Sequence, residues 1–215
     1  MIAINNITPD RIDEAIDVML TAFKDEALTS SWLDLTDPKL KNAYATAVKI
    51  SYIIHLDSGD PIYTAIEKDR IVGVAALSTP YAKKSKSKSA ILIIKNLPRL
   101  RRLVPSAIKA ARSLLAATKP PTSLPKNYCT LEILAVDPGF QGKKIGRQLL
   151  DHLHQHHFDK NNISGIYLFT GDEKNVKIYE RFGYEIVEKR HLKSIISYHM
   201  FKAKILETGI SYSGT

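Results

Sequence analysis

Apolar residues recur along this chain with two periods, and each change of period marks a new element. After a short apolar start, "AIN", the segment "TPDRIDEAIDVMLTAFK" carries Ile12, Ile16, Met19, Leu20 and Phe23 at helical spacing. Thr8 stands where a capping residue is wanted, and Pro9 suits the first helical position. "DPKLKNAYATAVKISYIIHL" predicts a second helix, entered at Asp37-Pro38 and broken by "SGD". "PIYTAIEKDRIVGVAALSTP" predicts two strands joined by a turn at Lys68-Asp69. From Tyr128 onward the alternation is regular. The strand "YCTLEILAV" precedes the helix "GKKIGRQLLDHLHQHH", with Ile145, Leu149 and Leu153 four apart. The strand "ISGIYLFTG" precedes the short helix "NVKIYERF", ended by Gly183. "YEIVEKR" and "SIISYHMFKA" are two more strands. A strand-helix-strand run predicts a parallel pair with a right-handed crossover, and the closing hairpin makes the sheet mixed. The class is α/β.

Between Tyr81 and Lys126 the pattern changes. This segment holds twelve Lys or Arg and no Asp or Glu. The net charge is +9, so the rest of the chain is slightly acidic and the basicity is a local field. "YAKKSKSKS" is polar and expected to be mobile. "AILIIKNL" is expected to stop at Pro98, and "PSAIKAARSLLAAT" predicts a second short helix. The apolar groups Ile91 to Ile94 and Leu114 with Leu115 are expected to pack on the core or on a second subunit. The 215 residues then read as one domain over 1–205, with a basic helical insert at 81–126 and a frayed tail at 206–215.

Composition narrows the setting. Hydrophobic residues are 44% and charged residues 25%, as in ordinary globular chains. No apolar run approaches the ~20 residues of a membrane span. The N-terminus lacks the cationic flank and apolar stretch of a signal peptide. Cys129 is the one cysteine, which suits a reducing cytoplasm.

The chemistry concentrates in "DPGFQGKKIGRQLL", Asp137 to Leu150. A strand that turns sharply into a helix leaves the first helical N–H groups unpaired, and with the helix dipole they favour an anion. Glycine admits a bulky phosphate to the backbone, and lysines add attraction. The spacing excludes a P-loop, and Gly139, Gly142 and Gly146 do not fit a dinucleotide fingerprint. A plain strand-helix turn with surface lysines remains the alternative.

"QGKKIG", after an apolar strand ending in "VDP", resembles the Q/R-x-x-G-x-G/A signature of the GNAT superfamily of N-acetyltransferases. Downstream, "NVKIYERFGYEIV" resembles the family segment that carries an asparagine, a tyrosine and a Gly-Phe pair. The likeness covers Met1 to about Lys204. "TAFKDEALTSSWL" and "GVAALSTP" with its insert further resemble puromycin N-acetyltransferase-like proteins. One departure stands out: Lys144 occupies the place of the family's first glycine.

The resemblance implies a GNAT-like fold with a mostly antiparallel mixed sheet. It implies acetyl-CoA as acetyl donor and a primary amine of a small molecule as acceptor. The pyrophosphate would lie on the amides of Gln141, Gly142, Lys143, Lys144, Ile145, Gly146 and Arg147. That holds at Lys144 provided φ there is negative. The pantetheine arm would bond the backbone of Leu134, Ala135 and Val136, and Asn175 would also hold it. Tyr179 matches the family's general acid; a core tyrosine is the alternative. Glu132 is the candidate general base, or else a strand carboxylate satisfied by a neighbouring cation. Transfer is expected to be direct, with Cys129 an inert buried residue rather than an acyl carrier. Trp32, Tyr44 and Tyr52 are candidate acceptor-pocket residues. Family members often pair through their C-terminal strands, so a homodimer is one option.

Two further features invite other readings. His152 and His156, four apart in "HLHQHH", can share a metal, although only Asp151 and Asp159 are near to complete it. A solvated helix face is the expectation, and no metal is assigned. The insert can form a solvated lid, steer anionic coenzyme A, or dock nucleic acid or an anionic membrane surface. No recognition helix or interleaved aromatics point to specific nucleic acid. The rival to an enzyme is therefore a non-catalytic GNAT-like scaffold that binds through this insert.

Overall fold

The computed structural model describes residues 2–24, 26–158, 163–192 and 195–204. The tail at 206–215 and Asp159 lie outside them. The strands are β1 (Ala3–Asn6), β2 (Ile62–Glu67), β3 (Arg70–Ser78), β4 (Cys129–Val136), β5 (Gly165–Thr170), β6 (Glu185–Leu192) and β7 (Ile195–Ala203). The helices are α1 (Ile12–Ala22), α2 (Ala27–Ser30), α3 (Pro38–Ser58), α4 (Lys86–Leu100), α5 (Val104–Thr118), α6 (Ile145–Phe158) and α7 (Glu173–Glu180). The sheet runs β1-β2-β3-β4-β5-β7-β6. Every neighbouring pair is antiparallel except β4 with β5, which is parallel.

Alternation along β3 builds two cores. Ile71, Val74 and Ala76 join α1 and α3 on one face, whereas Val72, Ala75 and Leu77 join α6 on the other. Gly73 sets how closely α6 approaches. A Cβ there would lie 2.9 Å from Ile145 Cγ2 and 3.1 Å from Leu149 Cδ1, so only glycine lets the first turn of α6 rest on β3. The β2–β3 turn uses left-handed conformations at Lys68 and Asp69, the geometry of a tight two-residue hairpin.

Several expectations change. Thr8 makes no side-chain cap; a 3-10 turn at Pro9–Arg11 leads into α1 instead. Asp37 does cap α3, accepting from the Lys39 N–H at 2.7 Å. The polar "KSKS" is the first turn of α4, capped by Ser85, and the helix continues through Pro98. A proline near the last turn forfeits one N–H, and the turn still closes through the Arg101 N–H to the Leu97 carbonyl. The histidines of α6 are not a solvated face. His154 and His157 are buried: His154 Nε2 is 3.0 Å from the Tyr184 hydroxyl, and His157 Nε2 is 3.0 Å from that of Tyr63. His152 and His156 stack with ring centroids 4.0 Å apart. Among the described residues no group of three or more His, Cys, Asp or Glu is placed to hold a metal ion, and no helix is long and apolar enough to cross a membrane.

The insert is tied down at its ends. The Lys83 N–H donates to the Ser58 carbonyl, and Lys84 Nζ lies 3.4 Å from Asp60. At the far end Arg190 donates to the Ala116 and Lys119 carbonyls, and Ser197 Oγ donates to the Ala117 carbonyl. A cation on the last carbonyls of α5 also meets the negative end of that helix. The insert packs on the core only in part: Leu103 joins it and Leu100 lies against it, Leu92 and Leu114 are half-buried, and Ile91, Ile93, Ile94 and Leu115 are exposed.

Candidate active site

β4 and β5 pair only at Cys129–Ile166 and Thr130–Tyr167. Two residues later β4 carries a bulge. Ala76 faces Ile133 and Leu77 faces Leu131, so Glu132 has no partner on β3. A bulge bends its strand and re-aims the side chain at that place. Here it resets the alternation: Leu131 packs with the α6 core and Ile133 with the α1–α3 core, while Glu132 faces the α3 side. Beyond the bulge, the β4 edge toward β5 has no ladder partner in that strand.

A cavity of about 380 Å³ fills the resulting split. Its walls come from β4 (Glu132, Ile133, Leu134), β5 and its following loop (Phe169, Thr170, Gly171), and α7 (Asn175, Tyr179). Across from these lie Tyr44, Ser51, Tyr52 and His55 of α3, and Phe23, Glu26 and Thr29 around α2. A second cavity of about 490 Å³ runs beneath α4 and shares Ala47, Ser51, His55 and Glu132 with the first. Glu132 and His55 therefore stand at the junction.

Asn175 and Tyr179 reach one wall because they are four apart on α7. Asp172 caps that helix, accepting from the Lys174 N–H at 2.8 Å. Asn175 Nδ2 is 3.4 Å from Thr170 Oγ1. Tyr179 packs edge-on against Tyr184, with ring centroids at 5.7 Å. Burial pushes its phenol well above the ordinary tyrosine value, so the proton stays on the oxygen.

The Tyr52 hydroxyl is buried in the cavity wall with no hydrogen-bond partner among the described residues. His55 Nδ1 lies 2.9 Å from the Ser51 carbonyl. A carbonyl only accepts, so that nitrogen carries the hydrogen; in the neutral ring Nε2, 3.4 Å from Ser78 Oγ, is the acceptor. Glu26 is half committed already, taking the Leu28 and Thr29 N–H groups at the start of α2. Tyr44 and Tyr52 line the cavity as expected. Trp32 does not; it stacks edge-on behind Tyr44 at 5.9 Å. His55, Glu26 and Phe169 were missed from the sequence. A single histidine in the last turn of a helix and a carboxylate in a loop carry no spacing signal.

The glycine-rich loop opens at the end of β4. Asp137 accepts from the Gly139 N–H at 2.9 Å, folding a 3-10 turn over Pro138–Phe140. Gly142 is left-handed at φ 81°. Lys144 is left-handed too, at φ 60°, so the negative φ assumed for it is wrong. The reason for glycine in this place of the signature is then conformational: a side chain in that region costs roughly 1–2 kcal/mol. The Lys144 carbonyl accepts from Gln148 N at 3.0 Å and opens α6. The N–H groups of Ile145, Gly146 and Arg147 thus fall in the first turn, where no intrahelical acceptor exists. Gly142 and Lys144, on either side of Lys143, are left-handed, and left-handed residues of this kind build anion-binding nests. The side chains of Lys143 and Arg147 are occupied elsewhere. Lys143 Nζ lies 3.3 Å from Glu67 and 4.5 Å from the Phe140 ring centroid, and Arg147 lies 3.5 Å from Asp151.

Cys129 is fully buried where β4 begins and does not line the cavity; burial pushes its thiol up to about 12. No thiolate is available there near neutral pH.

Comparison with known proteins gives the wider setting. A search of curated proteins finds no match. Among solved structures the fold is similar to a histone acetyltransferase HPA2 and related acetyltransferase from Corynebacterium glutamicum, with TM-score 0.64 and 17% identity over 96% of this chain and 98% of that one. It is similar to the ribosomal-protein-S18-alanine N-acetyltransferase of Escherichia coli, with TM-score 0.58 and 12% identity over 99% of each chain. It is also similar to the PaiA N-acetyltransferase of Thermoplasma acidophilum, solved with coenzyme A, with TM-score 0.57 and 15% identity over 94% of this chain and 99% of that one. The model of the acetyltransferase (GNAT) family matches residues 25–184, which include the bulge, the glycine-rich loop and α7. The chain belongs to the GNAT family of acetyltransferases.

Proposed function

We propose that the chain moves the acetyl group of acetyl-CoA to a primary amine of a small molecule, directly, with both bound at once. One observation carries this reading: a single cavity is lined by Leu134, Asn175 and Tyr179 on one side and by Glu132, His55, Tyr52 and Tyr44 on the other. Donor and acceptor therefore have separate walls and a common space. Family membership does not favour a scaffold without catalysis.

The residues present fit the donor. Amides from Gln141 to Arg147 hold the pyrophosphate, and the Leu134–Val136 backbone, on the edge that β5 leaves, takes the pantetheine arm. Asn175 adds a hydrogen bond to that arm. Acetyl-CoA supplies the activated acetyl group and a thiolate leaving group. Tyr179 keeps a proton on its hydroxyl and delivers it to the departing sulfur. Glu132 accepts the amine proton, and His55 Nε2 offers the same nitrogen a second acceptor. The unpartnered Tyr52 hydroxyl is available to a polar group of the acceptor. The buried Cys129 has no part, so Cys129→Ala is expected to keep kcat in a steady-state assay. Both segments with the narrower puromycin N-acetyltransferase-like resemblance reach the cavities: Phe23, Glu26, Leu28 and Thr29 from one, Ala76 and Ser78 from the other. That supports a small-molecule amine rather than a protein terminus.

Calorimetry with acetyl-CoA, followed by thiol release across a panel of amines, tests the proposal. Binding with release on adding one class of amine is expected. Absence of acetyl-CoA binding would end it. Within the loop, Lys144→Gly is expected to raise thermal stability by up to about 1 kcal/mol, since it relieves the left-handed side chain. Acetyl-CoA affinity should change by less than about threefold, because backbone amides carry the anion. A loss of roughly tenfold, or about 1.4 kcal/mol, would assign the phosphate to the lysine ammonium instead.

A further inference from the structure

The insert is apolar on its outer side as well as its inner one, which does not suit a water-facing lid. Of ten large apolar side chains exposed among the described residues, eight belong to it. On α5 the stripe Val104, Ile108, Ala111 and Leu115 recurs at helical spacing and faces outward, with Ile108 72% and Leu115 67% exposed. The positions that turn inward are Ser106, Ala107, Ala110, Leu114 and Ala117, mostly small. On α4 the half-buried inward positions are Ser89, Leu92, Asn96 and Leu100, while Ile91, Ile94 and Leu97 face out; no residue of α4 is buried. Ile93 is set aside because it lines the second cavity. Patches of this kind on a folded chain mark a contact surface.

We propose that this face docks on an anionic lipid bilayer. The charge selects the occupant. Twelve Lys or Arg and no acidic residue surround the stripes. A second copy applied face to face would set one positive field against another. Nucleic acid answers the charge but not the aliphatic stripes, and neither α4 nor α5 has an aromatic residue on which a base could stack. An interface of acidic headgroups over acyl chains answers both: aliphatic side chains enter, and Lys and Arg extend their stems to the headgroup level. The docking does not depend on the acetyl-transfer reading, and its test needs no turnover.

The experiment is co-sedimentation of the full chain with phosphatidylcholine vesicles, alone or with about a third phosphatidylglycerol. Retention by the anionic vesicles only, weakened by high salt, is expected. The double variant Ile108→Glu with Leu115→Glu changes two exposed positions and is expected to melt like the parent while losing roughly tenfold or more of its vesicle partition. Equal retention on neutral vesicles, or an undiminished double variant, would overturn the proposal. So would a lipid-independent dimer that the double variant breaks, or RNA binding without vesicle binding.

Discussion

Tyr179→Phe is expected to lower kcat for acetyl transfer by about a hundredfold and to leave acetyl-CoA affinity nearly unchanged. The magnitude is the ordinary contribution of one positioned proton donor. The change removes one oxygen and keeps the ring that packs on Tyr184, so the fold and the Asn175 wall survive. Burial holds the phenol protonated throughout the working pH range, so the loss should be the same at every pH where the parent works. A merely structural role would instead lower the melting temperature and raise KM. An unchanged kcat would remove Tyr179 from the chemistry.

Acid is expected to destabilise the protein between pH 6.5 and about 4, through two buried histidines. His154 lies against Tyr184, with burial as the main cause and Lys202 the second, and its value falls to about 4. His199 is fully buried, 2.7 Å from the Tyr167 hydroxyl; burial first and Arg190 second bring it to about 4 as well. Both fold in the neutral form. In the unfolded chain each regains an ordinary value near 6.5 and takes up a proton as pH falls. Their stabilising contribution is thus complete above pH 6.5 and is lost toward pH 4, on the order of 3 kcal/mol for each residue. Urea midpoints measured from pH 7.5 to 4 should fall across that window. His199→Gln should be less stable at neutral pH but show a shallower decline. A flat midpoint in the parent would refute the assignment.

How much of this was written in the sequence differs by element. The turn at Lys68-Asp69, the cap at Asp37 and the α6 and α7 helices follow from local chemistry, and local chemistry is legible. The cavity is not local. It depends on Glu132 having no partner, and a one-residue bulge leaves no trace in the pattern of "TLEILAV". Lys144 hid its conformation because a lysine at φ 60° is rare, and only the glycine usual in that place hinted at it. His154 and His157 looked like a polar helix face, yet tyrosines from distant strands satisfy them inside the core. The insert misled for the opposite reason. Periodicity locates an apolar stripe but cannot tell which way it faces, and here α5 turns Ala107, Ala110 and Ala117 inward and Ile108 and Leu115 outward.

The bulge at Glu132 makes the shape of the candidate site a matter of counting. A ladder between strands of equal length is the cheaper structure, since each added residue leaves a backbone group to be satisfied elsewhere. The sheet accepts that defect at the place where two strands part, and the cavity opens where they do. A chain one residue shorter here would possess the more regular sheet and, on the proposed function, would lose the side chain that the bulge aims at the cavity. Regular pairing and the shape of the site therefore make opposite demands at one backbone position.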